Sequence, residues 1–100
     1  MGRKPQIGGS FAIYKDMMFI IANYKRCKEI IQFTKDPKMM EACMSLITRF
    51  ERVYNSLDGQ NKRIMSFVME KKVDPELSSS HFYRLRIIAV NTFLERFYAQ

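Results

Sequence analysis

The stretch from Ser78 to Gln100, SSSHFYRLRIIAVNTFLERFYAQ, limits the folds open to this chain more than any other. On a 3.6-residue wheel Phe82, Leu85, Ala89, Phe93 and Phe97 share one face, and Tyr83, Ile87, Val90 and Leu94 cover the adjoining one. Only Arg84, Asn91 and Glu95 mark a polar stripe. A helix apolar over so much of its circumference has to be packed on several sides, by its own chain or by a partner. The pattern therefore predicts a serine-started last helix that crosses the whole domain, with the other helices arranged against it.

The rest of the chain supplies those helices. Ile13, Met17, Ile20, Tyr24, Cys27 and Ile31 recur at alternating steps of four and three, which predicts a first helix from an N-cap at Ser10 to about Thr34. A seam of this length suits a bundle helix, or a short coiled coil with a second copy. Asp36-Pro37 then restarts the chain, Asp36 as a cap and Pro37 preset for the first helical position. A second helix, about Pro37 to Ser56, carries Met40, Cys43, Ile47, Phe50, Val53 or Tyr54, and Leu57 on its core stripe. The short connection implies an antiparallel hairpin. Asp58 is the expected cap of a third helix bearing Ile64, Met65, Phe67, Val68 and Met69 and ending near Lys71 or Lys72. Asp74-Pro75 stops it, leaving room for one tight turn. With no strand-like alternation and no internal repeat, the expected class is all-α: a four-helix domain, a long N-terminal hairpin plus a C-terminal pair resembling a degenerate helix-turn-helix.

One hundred residues, 47% of them hydrophobic, make a single small domain with a modest core. We place it at residues 10–100. Residues 1–9, with Arg3-Lys4, Pro5 and Gly8-Gly9, read as a flexible basic arm, either a mobile terminus or a segment that reaches along a phosphate backbone or into a minor groove. The net charge of +7 favours acidic partners such as nucleic acid. Its excess lies at the two ends of the chain: residues 1–35 hold seven basic and two acidic side chains, residues 36–77 hold seven of each, and residues 78–100 hold three and one. Lys25, Arg26 and Lys28 fall off the seam of the first helix, on a basic outer face that supports a phosphate backbone or serves solubility. Cys27 and Cys43 sit at apolar positions of helical patterns, as buried free thiols do in a reducing compartment. The longest apolar run, Met17 to Ala22, is too short to span a bilayer, and no signal-peptide core is seen, so a cytoplasmic location without a membrane partner is expected.

Catalytic chemistry finds few residues to work with. His81 is the single histidine, the cysteines lie in other helices without a nucleophile motif, and the carboxylates mostly neighbour Lys or Arg. No metal-ligand set and no Gly-rich phosphate loop are present, so neither an enzyme nor a cofactor or metal is expected. The start of the last helix is the better candidate. Its serines adjoin the unpaired amides of a helix N-terminus, whose partial positive charge suits phosphate, and His81, Tyr83, Arg84 and Arg86 add donors within two turns. Against this stands a plain structural reading, in which serine caps, Tyr83 packs and the arginines are solvated.

The residues from Tyr54 to Phe97, YNSLDGQNKRIMSFVMEKK and then SSSHFYRLRIIAVNTFLERF, resemble the C-terminal region of phage late-gene transcription regulators of the ArpU and RinA type. They also resemble a group of small mycoplasma proteins with the same ending, and through both the promoter-binding C-terminal region of sigma factors, a helix-turn-helix. The resemblance covers a little under half the chain and is most specific at Ser-Ser-His-Phe-Tyr-Arg-Leu-Arg, Ala89 and Phe93. It implies that Ser78 caps a recognition helix, that Phe82, Leu85, Ala89 and Phe93 face the core, and that Ser80, Tyr83, Arg84 and Arg86 occupy DNA-facing positions; with Ser79 these are the residues expected to contact double-stranded DNA. Two departures matter. Residues Val73 to Leu77 leave no room for the first helix of the motif and its turn of about 3 to 4 residues. Ile87 and Ile88 stand where the family pattern commonly has lysine or arginine, and burying both would contribute roughly 3 to 6 kcal/mol, which suits a contact with a protein partner or a homodimer. The expected function is a DNA-binding or transcription-associated protein; the alternative is a helical interaction module without DNA binding.

Overall fold

The computed structural model describes residues 9–99 of the chain, and the side chains from residue 13 to residue 99. Four helices follow in order: α1 (Gly9–Phe33), α2 (Pro37–Ser56), α3 (Gly59–Met69) and α4 (Ser79–Tyr98). There is no strand among the described residues, and the all-α, four-helix class holds. The arm expected at residues 1–9 lies outside the described residues except for Gly9. That glycine already belongs to α1, so Ser10 lies inside the helix rather than capping it. Among the described residues, no helix is long and apolar enough to cross a membrane.

The local signals act where they were expected. Asp36 accepts a hydrogen bond from the Lys38 amide (3.0 Å) with Pro37 beside it, Asp58 accepts from the Asn61 amide (2.8 Å), and Ser78 accepts from the His81 amide (3.2 Å). The end of α3 differs from expectation. It stops at Met69, because the amides of Lys71 and Lys72 turn back to the carbonyls of Val68 (3.0 Å) and Phe67 (2.9 Å). This is a Schellman closure, and its left-handed position, which usually takes glycine, holds Lys71 at φ 59°. A side chain in that region costs about 1 kcal/mol or more. Lys71→Gly is therefore expected to stabilise the fold by about 1 kcal/mol, seen as a higher urea midpoint with unchanged slope.

Tertiary packing joins the hairpin to the C-terminal pair through aromatic rings. Tyr24 of α1 stacks on Phe50 of α2 (4.0 Å, 10°), Phe50 meets Phe93 of α4 (4.9 Å, 52°), and Phe93 continues to Phe97 (5.8 Å, 20°). Met17, Ile21, Val53, Ile64, Met65, Val68, Phe82, Ala89 and Val90 close the core around them. Burial, and a hydrogen bond that the Tyr24 hydroxyl donates to Glu51 (2.6 Å), push the phenol up to about 12. Polar ties fix the crossings. Arg49 donates to the Phe97 carbonyl (2.7 and 3.2 Å) while lying over its ring (4.2 Å), and Arg96 donates to the Ser56 carbonyl (2.7 Å). Cys27 and Cys43 are free thiols that face each other across the hairpin; burial and the neighbouring Cys43 raise the Cys27 thiol to about 11.

As expected, α4 packs against each of the other three helices. It is nevertheless not enclosed. The molecule measures 45 × 37 × 21 Å, and its thin dimension is about two helix diameters. Every helix therefore keeps one side toward solvent. On α4 that side carries Tyr83, Ile87 and Ile88, the last 51% exposed, and on α1 it carries Phe19.

Candidate nucleic-acid interface

The turn before α4 is built on a buried charge. Asp74 is 1% exposed, and its carboxylate accepts from Arg63 Nε (2.7 Å), from Arg63 Nη2 (3.1 Å) and from the Glu76 amide (2.9 Å). The same Nη2 reaches Glu76 Oε1 at 3.1 Å. The Leu77 amide then donates to the Asp74 carbonyl (3.1 Å), closing the tight turn that Asp-Pro announced. Hydrogen bonds from Arg63, and then from the Glu76 amide, hold the Asp74 carboxyl below its ordinary value of 3.8. Arg63 thus occupies both carboxylates of the segment that leads into α4, and it does so from α3.

The candidate residues divide into two groups in space. Ser79, Ser80 and Arg84 are exposed on the first turns of α4, and their side chains make no hydrogen bond or ion pair with the described residues. Tyr83 is exposed as well, at 43%. Arg86 is different: half-buried, its guanidinium lies 3.9 Å from the centre of the Tyr14 ring of α1 and 4.7 Å from that of Tyr83. It lies over two aromatic rings at cation–π distance. Ile87 and Ile88 continue the exposed side of α4 beyond it.

The three α1 cations expected to support the backbone, Lys25, Arg26 and Lys28, are not gathered at this site. Lys25 caps the end of α3 by donating to the Met69 carbonyl, and Lys28 reaches the Tyr24 hydroxyl (3.5 Å) and Glu51 (3.9 Å). Arg26 is exposed without such a contact, but along the helix it lies about 18 Å from Tyr14. The cations that do stand beside the start of α4 are Lys71 and Lys72, which line a cleft with Tyr14, Tyr83 and Arg86. Charge counting hid them, because residues 36–77 balance in sum. Only the pairing of Asp74 and Glu76 with Arg63 unbalances them in space.

The α3–α4 connection, residues 70–78, holds no helix and is longer than the turn of about 3 to 4 residues in a helix-turn-helix. Among the described residues no group of three or more His, Cys, Asp or Glu could hold a metal ion. No protein-family model, curated protein or solved structure matches the chain.

Proposed function

We propose that this is a non-catalytic, transcription-associated protein that binds double-stranded DNA through the first two turns of α4. The observation that carries the reading is the unpaired donor surface there. Ser79, Ser80 and Arg84 are exposed with side chains free to donate, and the two carboxylates of the segment before α4 are already held by Arg63. Such a surface attracts a phosphate backbone, and in this reading the exposed Tyr83 and Arg84 reach base edges. The overall charge of +7 acts in the same direction at longer range.

Salt-dependent binding is the test. Duplex binding, followed by fluorescence anisotropy, is expected to weaken steeply between about 50 and 200 mM salt. Arg84→Ala should lower the slope of log K against log salt by about 1, while its stability stays within about 0.5 kcal/mol of wild type. A wild-type protein that shows no salt-dependent affinity for duplex DNA overturns the reading. One observation favours a second function: Ile87 and Ile88 form an exposed apolar step on α4, 39% and 51% accessible. As an interface it would join two copies of the chain or a protein partner, and sedimentation of the wild type against Ile88→Lys separates that from the DNA reading.

A further inference from the structure

The cleft between the start of α1, the end of α3 and the first turns of α4 has an unusual lining. Its polar side chains are Lys71, Lys72, Arg86, Tyr14 and Tyr83, all able to donate and none a carboxylate, and its floor is apolar. Its volume is about 100 Å³, room for several waters or one tetrahedral oxyanion. Arg86 carries the argument. Its guanidinium lies over the Tyr14 and Tyr83 rings, yet no carboxylate or carbonyl of the described residues accepts from it. A half-buried arginine lying over two rings with its N–H fork unfilled is arranged for an acceptor from outside, and a planar fork matches phosphate. Lys71 is the second, independent sign. It occupies the left-handed position that ends α3, where glycine would be the easier residue, and that strained backbone places a lysine on the cleft. Lys72 lies 3.4 Å from Glu70, but both are about two-thirds exposed, and a pair of that kind yields readily to a competing anion.

We propose that this cleft is an oxyanion site that takes a phosphate group, gripped by the Arg86 fork and by Lys71, with the Tyr14 and Tyr83 hydroxyls as further donors. It deepens the DNA reading by giving one strand phosphate a seat beside α4. Free phosphate carries the same chemistry, so the site does not depend on that reading.

The experiment is an NMR titration of the ¹⁵N-labelled chain at constant ionic strength, in one arm with inorganic phosphate or pyrophosphate and in the other with a short duplex. Saturable shifts at the Arg86 Nε–H and at the amides of Lys71 to Val73 are expected. Lys71→Gly and Arg86→Lys should each weaken them by about tenfold. Because Lys71→Gly relaxes the backbone, its loss of binding should come with a raised melting temperature, which separates ligand recognition from damage to the fold. Shifts with phosphate alone identify free phosphate as the ligand and overturn the DNA reading; shifts with the duplex alone identify a strand phosphate; both support the cleft. If the duplex moves Ser79 to Arg84 but neither arm moves the cleft, the cleft proposal falls and the DNA reading stands. Shifts that chloride reproduces, or a Lys71→Gly variant that binds like wild type, also overturn it.

Discussion

Phe50→Ala is expected to lose about 3–5 kcal/mol of stability and to lower the melting temperature by roughly 15 °C or more. The ring is 1% exposed and lies between Tyr24 and Phe93, so it is the one side chain through which α1, α2 and α4 share a stack. Removing it leaves a cavity that three helices would have to collapse into, and it forfeits two aromatic contacts worth about 0.5–1.5 kcal/mol each beyond area burial. For a small domain whose total stability is about 5–15 kcal/mol, that is a large share. Phe50→Leu fills part of the space and should cost only about 1–2 kcal/mol. A second readout follows from the stack. Phe50 helps to bury the Tyr24 phenol, which titrates at about 12 rather than 10.0. That group stabilises the fold below pH 10, and its contribution is lost as pH rises through the folded value. Absorbance titration of Phe50→Leu should show a tyrosine returning toward the ordinary range. Wild-type melting of Phe50→Ala would mean the stack does not hold the helices together.

The second large effect belongs to Arg63→Ala, with a loss at neutral pH expected to reach roughly 10 °C or more in melting temperature. The substitution leaves Asp74 buried with the Glu76 amide as its remaining hydrogen-bond donor among those described, and an uncompensated buried carboxylate is far costlier than an exposed arginine. The pH dependence identifies the cause. In the wild type the Asp74 carboxyl is depressed, so its contribution is present above the ordinary value of 3.8 and is lost as pH falls through the lower folded value. Without Arg63 the main depressing influence is gone. The gap between variant and wild type should therefore be widest near neutrality and narrow as the solution is acidified below about pH 4. Circular dichroism melts across that range measure it. A gap that stays constant with pH would show that Arg63 acts through packing alone. Because the same arginine pairs with Asp74 and Glu76 just before α4, the variant should also weaken any anion bound there.

The exposed band on α4 and the cationic cleft show where reading along the chain runs out. The wheel placed Phe82, Ala89, Phe93 and Phe97 in the core, and they are buried, yet it covered Ile87 equally, and Ile87 is exposed. Periodicity states which residues share a face but not how many layers of helix the molecule will have. Arg86 illustrates a second limit. Its position on α4 suggested an outward, DNA-facing side chain, whereas Tyr14, from the other end of the chain, covers one side of it. Lys71 and Lys72 entered the reading of the sequence only as the place where the third helix ends; the fold sets them in one cleft with that arginine.

Helix number, order and seams were determined by the sequence itself, because caps such as Asp36, Asp58 and Ser78 and the Pro37 start act within one turn of where they stand. The site was decided only by the tertiary structure. Whether Arg63 neutralises Asp74 and Glu76, and whether Tyr14, Lys71 and Arg86 line one cleft, depends on how α1, α3 and α4 cross. Those crossings follow from how rings and side chains of several helices interlock, a property of the packed whole that no single stretch carries.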